Sequence, residues 1–270
     1  MRRGHDRVRF SRRVGGPFPE ARVRKARNAE GRPSFRRRLV TWPVLAEEKA
    51  ADLFYAKAMK KAVLDLKPTQ FALGLREVSR KIYKLKEMGH NARHDYLNSR
   101  PIPVVISAKK HYHLIDHHHQ ARACWEFGIE ELPIEVKADF SHLAPAEFWG
   151  AMHKSHWIHL HDQFGHGPHA AHLLPEDIRG LADDPCRSLS WALRHAGFYE
   201  KSTVAFSEFQ WADFLRKEII VEPGDEGFER ALSAAEKIAS SPLAKHLPGW
   251  HGRLPPPSDR SRGARPQGDH

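Results

Sequence analysis

Residues 112–123 read Y-H-L-I-D-H-H-H-Q-A-R-A. Tyr112 and Leu114 alternate with His113 and lead into Ile115, as a short strand does. Asp116 and three consecutive histidines come next. Gln120, Ala121, Arg122, Ala123, Cys124 and Trp125 then have helical character. The pattern predicts a strand, a tight turn and a helix N-terminus. The first backbone N–H groups of a helix have no partner inside it, and the dipole there favours negative charge. Such a turn suits an anion or a phosphate. Asp116 stands where an N-cap residue would stand.

Working outward, Pro101-Ile102-Pro103-Val104-Val105-Ile106 is a short β-branched run that reads as a buried strand, with His111 to Ile115 returning beside it. The helix after the histidines is expected to end near Phe127-Gly128, and Leu132 to Val136 is a third strand. Leu75 to Met88 places Val78, Ile82, Leu85 and Met88 on one helical side and stops at Gly89-His90-Asn91. Residues 68–140 therefore make a small α/β core. Ahead of it, Ala51, Tyr55, Ala58, Ala62 and Leu66 recur at spacings of three and four, which predicts a leading helix within residues 39–67, stopped by Pro68. After Asp139, Phe148, Ala151 and Met152, then Leu189, Ala192 and Leu193, then Phe209, Phe214 and Leu215 recur at helical spacing, and Ala231 to Ala239 is a last helix. Residues 141–250 read as an all-helical subdomain, and the fold class is α+β.

The net charge of +11 is concentrated at one end. Residues 1–38 hold 14 Lys and Arg against 3 Asp and Glu, which accounts for the whole excess, and residues 39–250 come to −2. Affinity for nucleic acid, if present, belongs to this Arg-rich arm. The arm and the tail, residues 251–270 with Pro255-Pro256-Pro257, are too poor in large apolar residues to order themselves. Cys124 and Cys186 form no C-x-x-C and no zinc pattern, which points to a reducing compartment. No apolar run approaches the roughly 18 residues of a membrane span, and no apolar h-region follows the arginines, so the expected location is the cytoplasm.

Three blocks carry a resemblance. They are Pro68-Thr69-Gln70 with Gly74 and Glu77-Val78; Ile115 to Ala123; and Asp183-Asp184-Pro185-Cys186-Arg187-Ser188-Leu189 followed by Phe206, Glu208-Phe209 and Trp211-Ala212-Asp213-Phe214. Over roughly residues 60–250 the chain resembles the ParB/sulfiredoxin superfamily, and more closely its ParB-like branch described as "putative nuclease". The resemblance implies a ParB/sulfiredoxin-like core in which a Gly-x-(Arg or His)-Arg type turn at a helix start binds nucleotide phosphates. Relatives include partition proteins using a nucleoside triphosphate, sulfiredoxins, and kinases acting on free serine. Aligned on Arg122-Ala123, His117 takes the glycine position, His118 that of the sulfiredoxin cysteine, His119 the third and Gln120 that of the usual arginine. His118 argues against sulfiredoxin chemistry. Gln120 removes a bidentate cationic donor that Arg122, Arg187 or Arg194 would have to replace.

On that resemblance His117, His118, His119, Gln120, Arg122 and Arg187 bind phosphate or nucleotide, and His118 or His119 donates hydrogen bonds or shuttles a proton near neutral pH. Glu77 is the general base, and Asp116 caps the helix or helps to hold Mg²⁺. The implied cofactors are Mg²⁺ and a nucleotide (ADP, ATP or CTP). The implied activity is that of a nuclease or of a nucleotide-dependent phosphoryl-transfer enzyme on a phosphate-bearing substrate. The opposite class is a non-catalytic ParB-like DNA-binding protein using residues 1–38. A metal site is a separate possibility: 13 of the 20 histidines fall between residues 111 and 172, and His153-x-x-His156 spans one helical turn, so Asp116, His153 and His156 are candidate ligands. Asp184-Pro185 reads as a helix N-cap with proline at the first helical position, and Glu208, Trp211 and Asp213 read as packing.

Overall fold

The computed structural model describes residues 59–253. The Arg-rich arm, the predicted leading helix as far as residue 58, and the tail from residue 254 lie outside the described residues. A five-stranded mixed sheet with order β1-β6-β4-β5-β2 forms the centre; its strands are β1 (Lys60–Ala62), β2 (Leu66–Pro68), β4 (Ile102–Ile106), β5 (Tyr112–Leu114) and β6 (Glu131–Asp139). The central strand, β4, runs parallel to β6 and antiparallel to β5. All five of its residues are buried, which is why its sequence is apolar without interruption.

Residues 60–67 correct the expected leading helix. They form the two edge strands β1 and β2, joined by a 3-10 turn at Val63–Asp65. Val63 and Leu66 drop into the core beneath the sheet, and pairing with β6 and β5 outweighs the helical spacing of Ala62 and Leu66.

Period-two alternation in β4 gives the sheet two apolar faces. Ile102 and Val104 pack with helix α1 (Leu75–Glu87) and helix α3 (His118–Glu126) through Val78, Leu85, Ala121 and Cys124. Val105 meets Phe148 and Met152 of helix α4 (Pro145–Lys154) on the other side. The subdomain expected to be all-helical is therefore different in two ways. Helix α4 belongs to the sheet, and residues 155–184 are largely irregular, ending in strand β7 (Ala182–Asp183), which pairs with β3 (Ala72–Leu73). Helix α2 (His90–Asn98) is one the sequence pattern missed; it buries only Leu97 and so shows little apolar periodicity.

Helices α5 (Pro185–Ala196), α6 (Ser207–Glu218) and α7 (Gly224–Ala239) share a second core built on Leu189, Leu193, Trp211, Leu215, Phe228 and Leu232. Two contacts, one from β7 and one from α5, lock this segment to the start of α1. Asp183 Oδ1 accepts the Leu75 N–H at 2.9 Å, and Gly74 lies so close that a Cβ there would sit 2.8 Å from the Ser188 nitrogen. No helix among the described residues is long and apolar enough to cross a membrane.

Candidate functional site

Helix α3 begins as the sequence predicts, with one change at the cap. The N-cap is His117, in the left-handed region at φ 65°, and no side chain caps the helix. Asp116 is one residue too early. Its Oδ1 accepts the His117 N–H at 2.6 Å, while the rest of the side chain is exposed. A left-handed residue is the conformation glycine adopts most readily, so His117 occupies a glycine-type position in geometry as well as in alignment. No side chain caps the first-turn N–H groups of His118, His119 and Gln120.

The histidine rings divide. His118 and His119 are buried and hold backbone: His118 Nε2 accepts the Thr69 N–H at 3.2 Å, and His119 Nε2 accepts the Gly74 N–H at 3.1 Å. Burial pushes His118 down to about 3. Burial, reinforced by Arg187, Lys81 and Arg194, pushes His119 well below its ordinary value. Both rings are neutral near pH 7, with the proton on Nδ1, so they anchor the β2–α1 connection to the turn rather than shuttle protons. His117 alone keeps a partly exposed ring.

Gln120 and Arg122 are engaged with backbone away from the start of the helix. The Gln120 amide donates to the Arg100 carbonyl at 3.0 Å. Arg122 pairs with Glu126 at 2.5 Å and donates Nη1 to the Ile178 and Arg179 carbonyls at 3.2 and 3.3 Å. It therefore clamps the 178–181 turn and does not replace the missing arginine.

Arg187 lies in a buried ion-pair cluster with Glu77 and Glu208. It is 5% exposed, and its Nη2 contacts Glu208 Oε2 and lies 3.6 Å from Glu77 Oε2. Glu77 is also buried; its Oε2 is 3.4 Å from His119 Nε2, and Lys81 Nζ is 3.4 Å from its Oε1. The His119 nitrogen already accepts from Gly74 and cannot donate to Glu77. Glu77 Oε2, Arg187 Nε and Arg187 Nη1 are buried without hydrogen-bond partners. Glu208 also holds Arg194 at 2.6 Å, and Arg187 lies over the Phe209 ring, which stacks on His159 at 3.9 Å. The sequence reading treated Glu208 as packing and missed Lys81, whose signal is its position four residues after Glu77.

Asp184 is the N-cap expected of it, accepting the Cys186 and Arg187 N–H groups at 2.9 and 3.1 Å and pairing with Arg216 at 2.6 Å. The candidate metal ligands do not come together: among the described residues no three His, Cys, Asp or Glu side chains converge as ligands would, and His153 and His156 are exposed. Both cysteines are buried, with thiols pushed up to about 12 (Cys124) and about 11 (Cys186) by burial, which makes them structural.

The curled mixed sheet, helix α3 entered through a left-handed residue, and α1 lying beside it define a ParB-like α+β protein. The chain belongs to the family described as "Putative ParB-like nuclease", whose model matches residues 59–217. It is similar to protein Atu1540 from Agrobacterium tumefaciens, known from a crystal structure, at 40% identity and a TM-score of 0.65, over 72% of this chain and 98% of that one. No curated protein matches the chain.

Proposed function

We propose that this chain is an enzyme of phosphate chemistry whose substrate is the size of a nucleotide. The observation that carries the reading is the buried ion pair of Arg187 and Glu77, in which Arg187 Nε and Nη1 and Glu77 Oε2 have no hydrogen-bond partner, with Glu77 against the His119 ring at the uncapped start of α3. Backbone N–H groups of His118, His119 and Gln120 hold the phosphate, and Arg187 supplies the cation that Gln120 lacks. Glu77 Oε2 is the acceptor for the proton of an attacking hydroxyl or water. His118 and His119 fix the turn. Mg²⁺ would arrive on the nucleotide, held by phosphate oxygens and water, since this ion needs few protein ligands. A net charge of −2 over residues 39–250 favours a nucleotide or short oligonucleotide over long duplex, because each contacted phosphate needs a cation.

The test is a thermal-shift panel on the full chain with ADP, ATP, CTP, GTP and inorganic phosphate, with and without Mg²⁺, followed by product analysis for whichever ligand binds. A ligand that binds only the folded state raises the melting temperature. The reading expects a nucleotide-selective shift that disappears in Arg187→Met; no shift with any member would reject it. The second reading, DNA binding through residues 1–38, rests on their 14 Lys and Arg. It expects salt-dependent DNA binding that is lost when Arg12, Arg13, Arg36, Arg37 and Arg38 become Ser, with the nucleotide response unchanged.

A further inference from the structure

A cleft of about 710 Å³ lies between Phe71, which precedes β3, and the irregular segment that runs up to β7. Neither Arg187 nor Glu77 nor any residue at the start of α3 lines it, and residues 163–182 fall in none of the three sequence blocks that carry the family resemblance. The volume falls within the roughly 300–1,000 Å³ of small-molecule sites. Its walls are tied down. The Phe71 carbonyl accepts the Ala182 N–H at 3.0 Å, which joins the two sides. Arg122 of α3 donates to the Ile178, Arg179 and Leu181 carbonyls at 3.2, 3.3 and 3.5 Å. Asp177 accepts the Arg179 backbone N–H at 2.9 Å and holds its Nε and Nη2 at 2.9 and 2.7 Å. At Gly180 a Cβ would stand 2.8 Å from the Pro175 Cβ, so the turn closes tightly on the cleft wall. Walls fixed before binding keep the ordering cost of binding low.

Phe71, Leu173, Pro175 and Ala182 form the apolar part of the lining. Three polar side chains complete its chemistry. Gln163 brings an amide, both donor and acceptor. Glu176 is exposed and engaged in no ion pair or hydrogen bond among the described residues. Arg179, with Nε and Nη2 held by Asp177, keeps Nη1 as a donor. Glu176 and Asp177 against Arg179 leave the lining at −1, which is the wrong sign for a second phosphate site. Apolar surface with one acceptor, one donor and an amide fits a flat ring whose rim carries an amine beside an acceptor. Adenine, cytosine and guanine have that rim; uracil has no amine for Glu176. Both walls also lead directly to the Arg187–Glu77 cluster. Phe71 continues through β3 to Gly74 and α1, and Ala182 through the parallel β7 to Asp184 and α5. Three extended residues from Phe71 to Gly74 span about 10 Å, the scale on which a nucleotide separates its base from its phosphates.

We infer that this cleft is a base subsite for a nucleobase bearing an exocyclic amine, with Glu176 accepting from the amine, Arg179 Nη1 donating to the ring and Leu173 covering its apolar surface. The inference rests on the nucleotide reading above and makes Glu176 the residue that sets base preference. Leu173 and Glu176 are both exposed, so substitutions there leave the fold intact.

The test is calorimetric titration of the full chain with adenosine, cytidine, guanosine and uridine, which carry no phosphate, and separately with sulfate as the anion probe. At least one amine-bearing nucleoside is expected to bind about tenfold or more tightly than uridine. Glu176→Gln should remove most of that preference. Leu173→Asp should weaken nucleoside binding about tenfold or more, and neither variant should change sulfate affinity. No nucleoside binding, or nucleoside affinities that both variants leave unchanged, would overturn the cleft as a base subsite; sulfate binding in the same series would then leave the phosphate reading standing. A series sensitive to Leu173→Asp but without preference for the amine would overturn the role of Glu176. Nucleosides that bind and respond to both variants, with sulfate refused, would keep the cleft and remove the phosphate reading instead.

Discussion

Acidification should unfold this protein unusually early, because three histidines are buried as neutral rings. His113 is held at about 4 by burial, with His111 and Lys67 adding to the effect, and His118 at about 3. His119 is pushed in the same direction. In the unfolded chain each returns to the ordinary value near 6.5. The sign follows: folded values lie below unfolded ones, so the unfolded state binds more protons as pH falls below about 6.5, and stability present above that pH is lost. Between pH 7 and pH 5.5 His113 and His118 each contribute a loss of about 1.2 kcal/mol, about 2.5 kcal/mol together, and His119 adds to it in the same direction. That is a large part of a typical stability of about 5–15 kcal/mol. Urea denaturation at the two pH values, followed by tryptophan fluorescence, measures it, and His118→Asn should reduce the difference by about 1 kcal/mol. Equal stability at pH 7 and pH 5.5 would refute the neutral, buried assignment.

Gly74→Ala should destabilise by about 1–3 kcal/mol in urea denaturation, because the new Cβ would meet the Ser188 nitrogen at 2.8 Å and its Oγ at 2.7 Å; backbone there cannot give way as a side chain would. Asp184→Ala should cost at least the ~1 kcal/mol of a lost N-cap, with more from stranding Arg216, and the same denaturation curve reads it. Arg122→Met should lower the melting temperature by freeing the 178–181 carbonyls and leave sulfate affinity unchanged. Arg187→Lys, which keeps the charge and loses the guanidinium donors, should weaken sulfate binding about tenfold or more in calorimetry.

The sheet and the helix after the histidines were legible because their signals are local. Ile102–Ile106 is apolar throughout since both faces of β4 are covered, and the 112–126 strand, turn and helix follow from a change of period. The Asp184-Pro185 cap was legible for the same reason. What failed depends on distant partners. Residues 60–67 have helical spacing, yet they pair at the two edges of the sheet, one with β6 and one with β5. Helix α2 buries a single large residue and leaves no stripe. In the candidate site, the triple histidine marked the place, but its division of labour was invisible. Which rings face Thr69 and Gly74 depends on a connection more than forty residues away in sequence. Arg122 and Arg187 are equally plausible cations in one dimension; only the fold sends one to the 178–181 carbonyls and the other to Glu77.

The central claim is that the start of α3 and Arg187 hold an anion together. The most direct measurement is an amide and guanidinium ¹⁵N NMR titration of the full chain with inorganic phosphate at constant ionic strength. The account predicts that the backbone N–H signals of His118, His119 and Gln120 and the Nε–H of Arg187 move on one shared saturation curve. Saturable shifts located elsewhere, with those four signals unmoved, would contradict it.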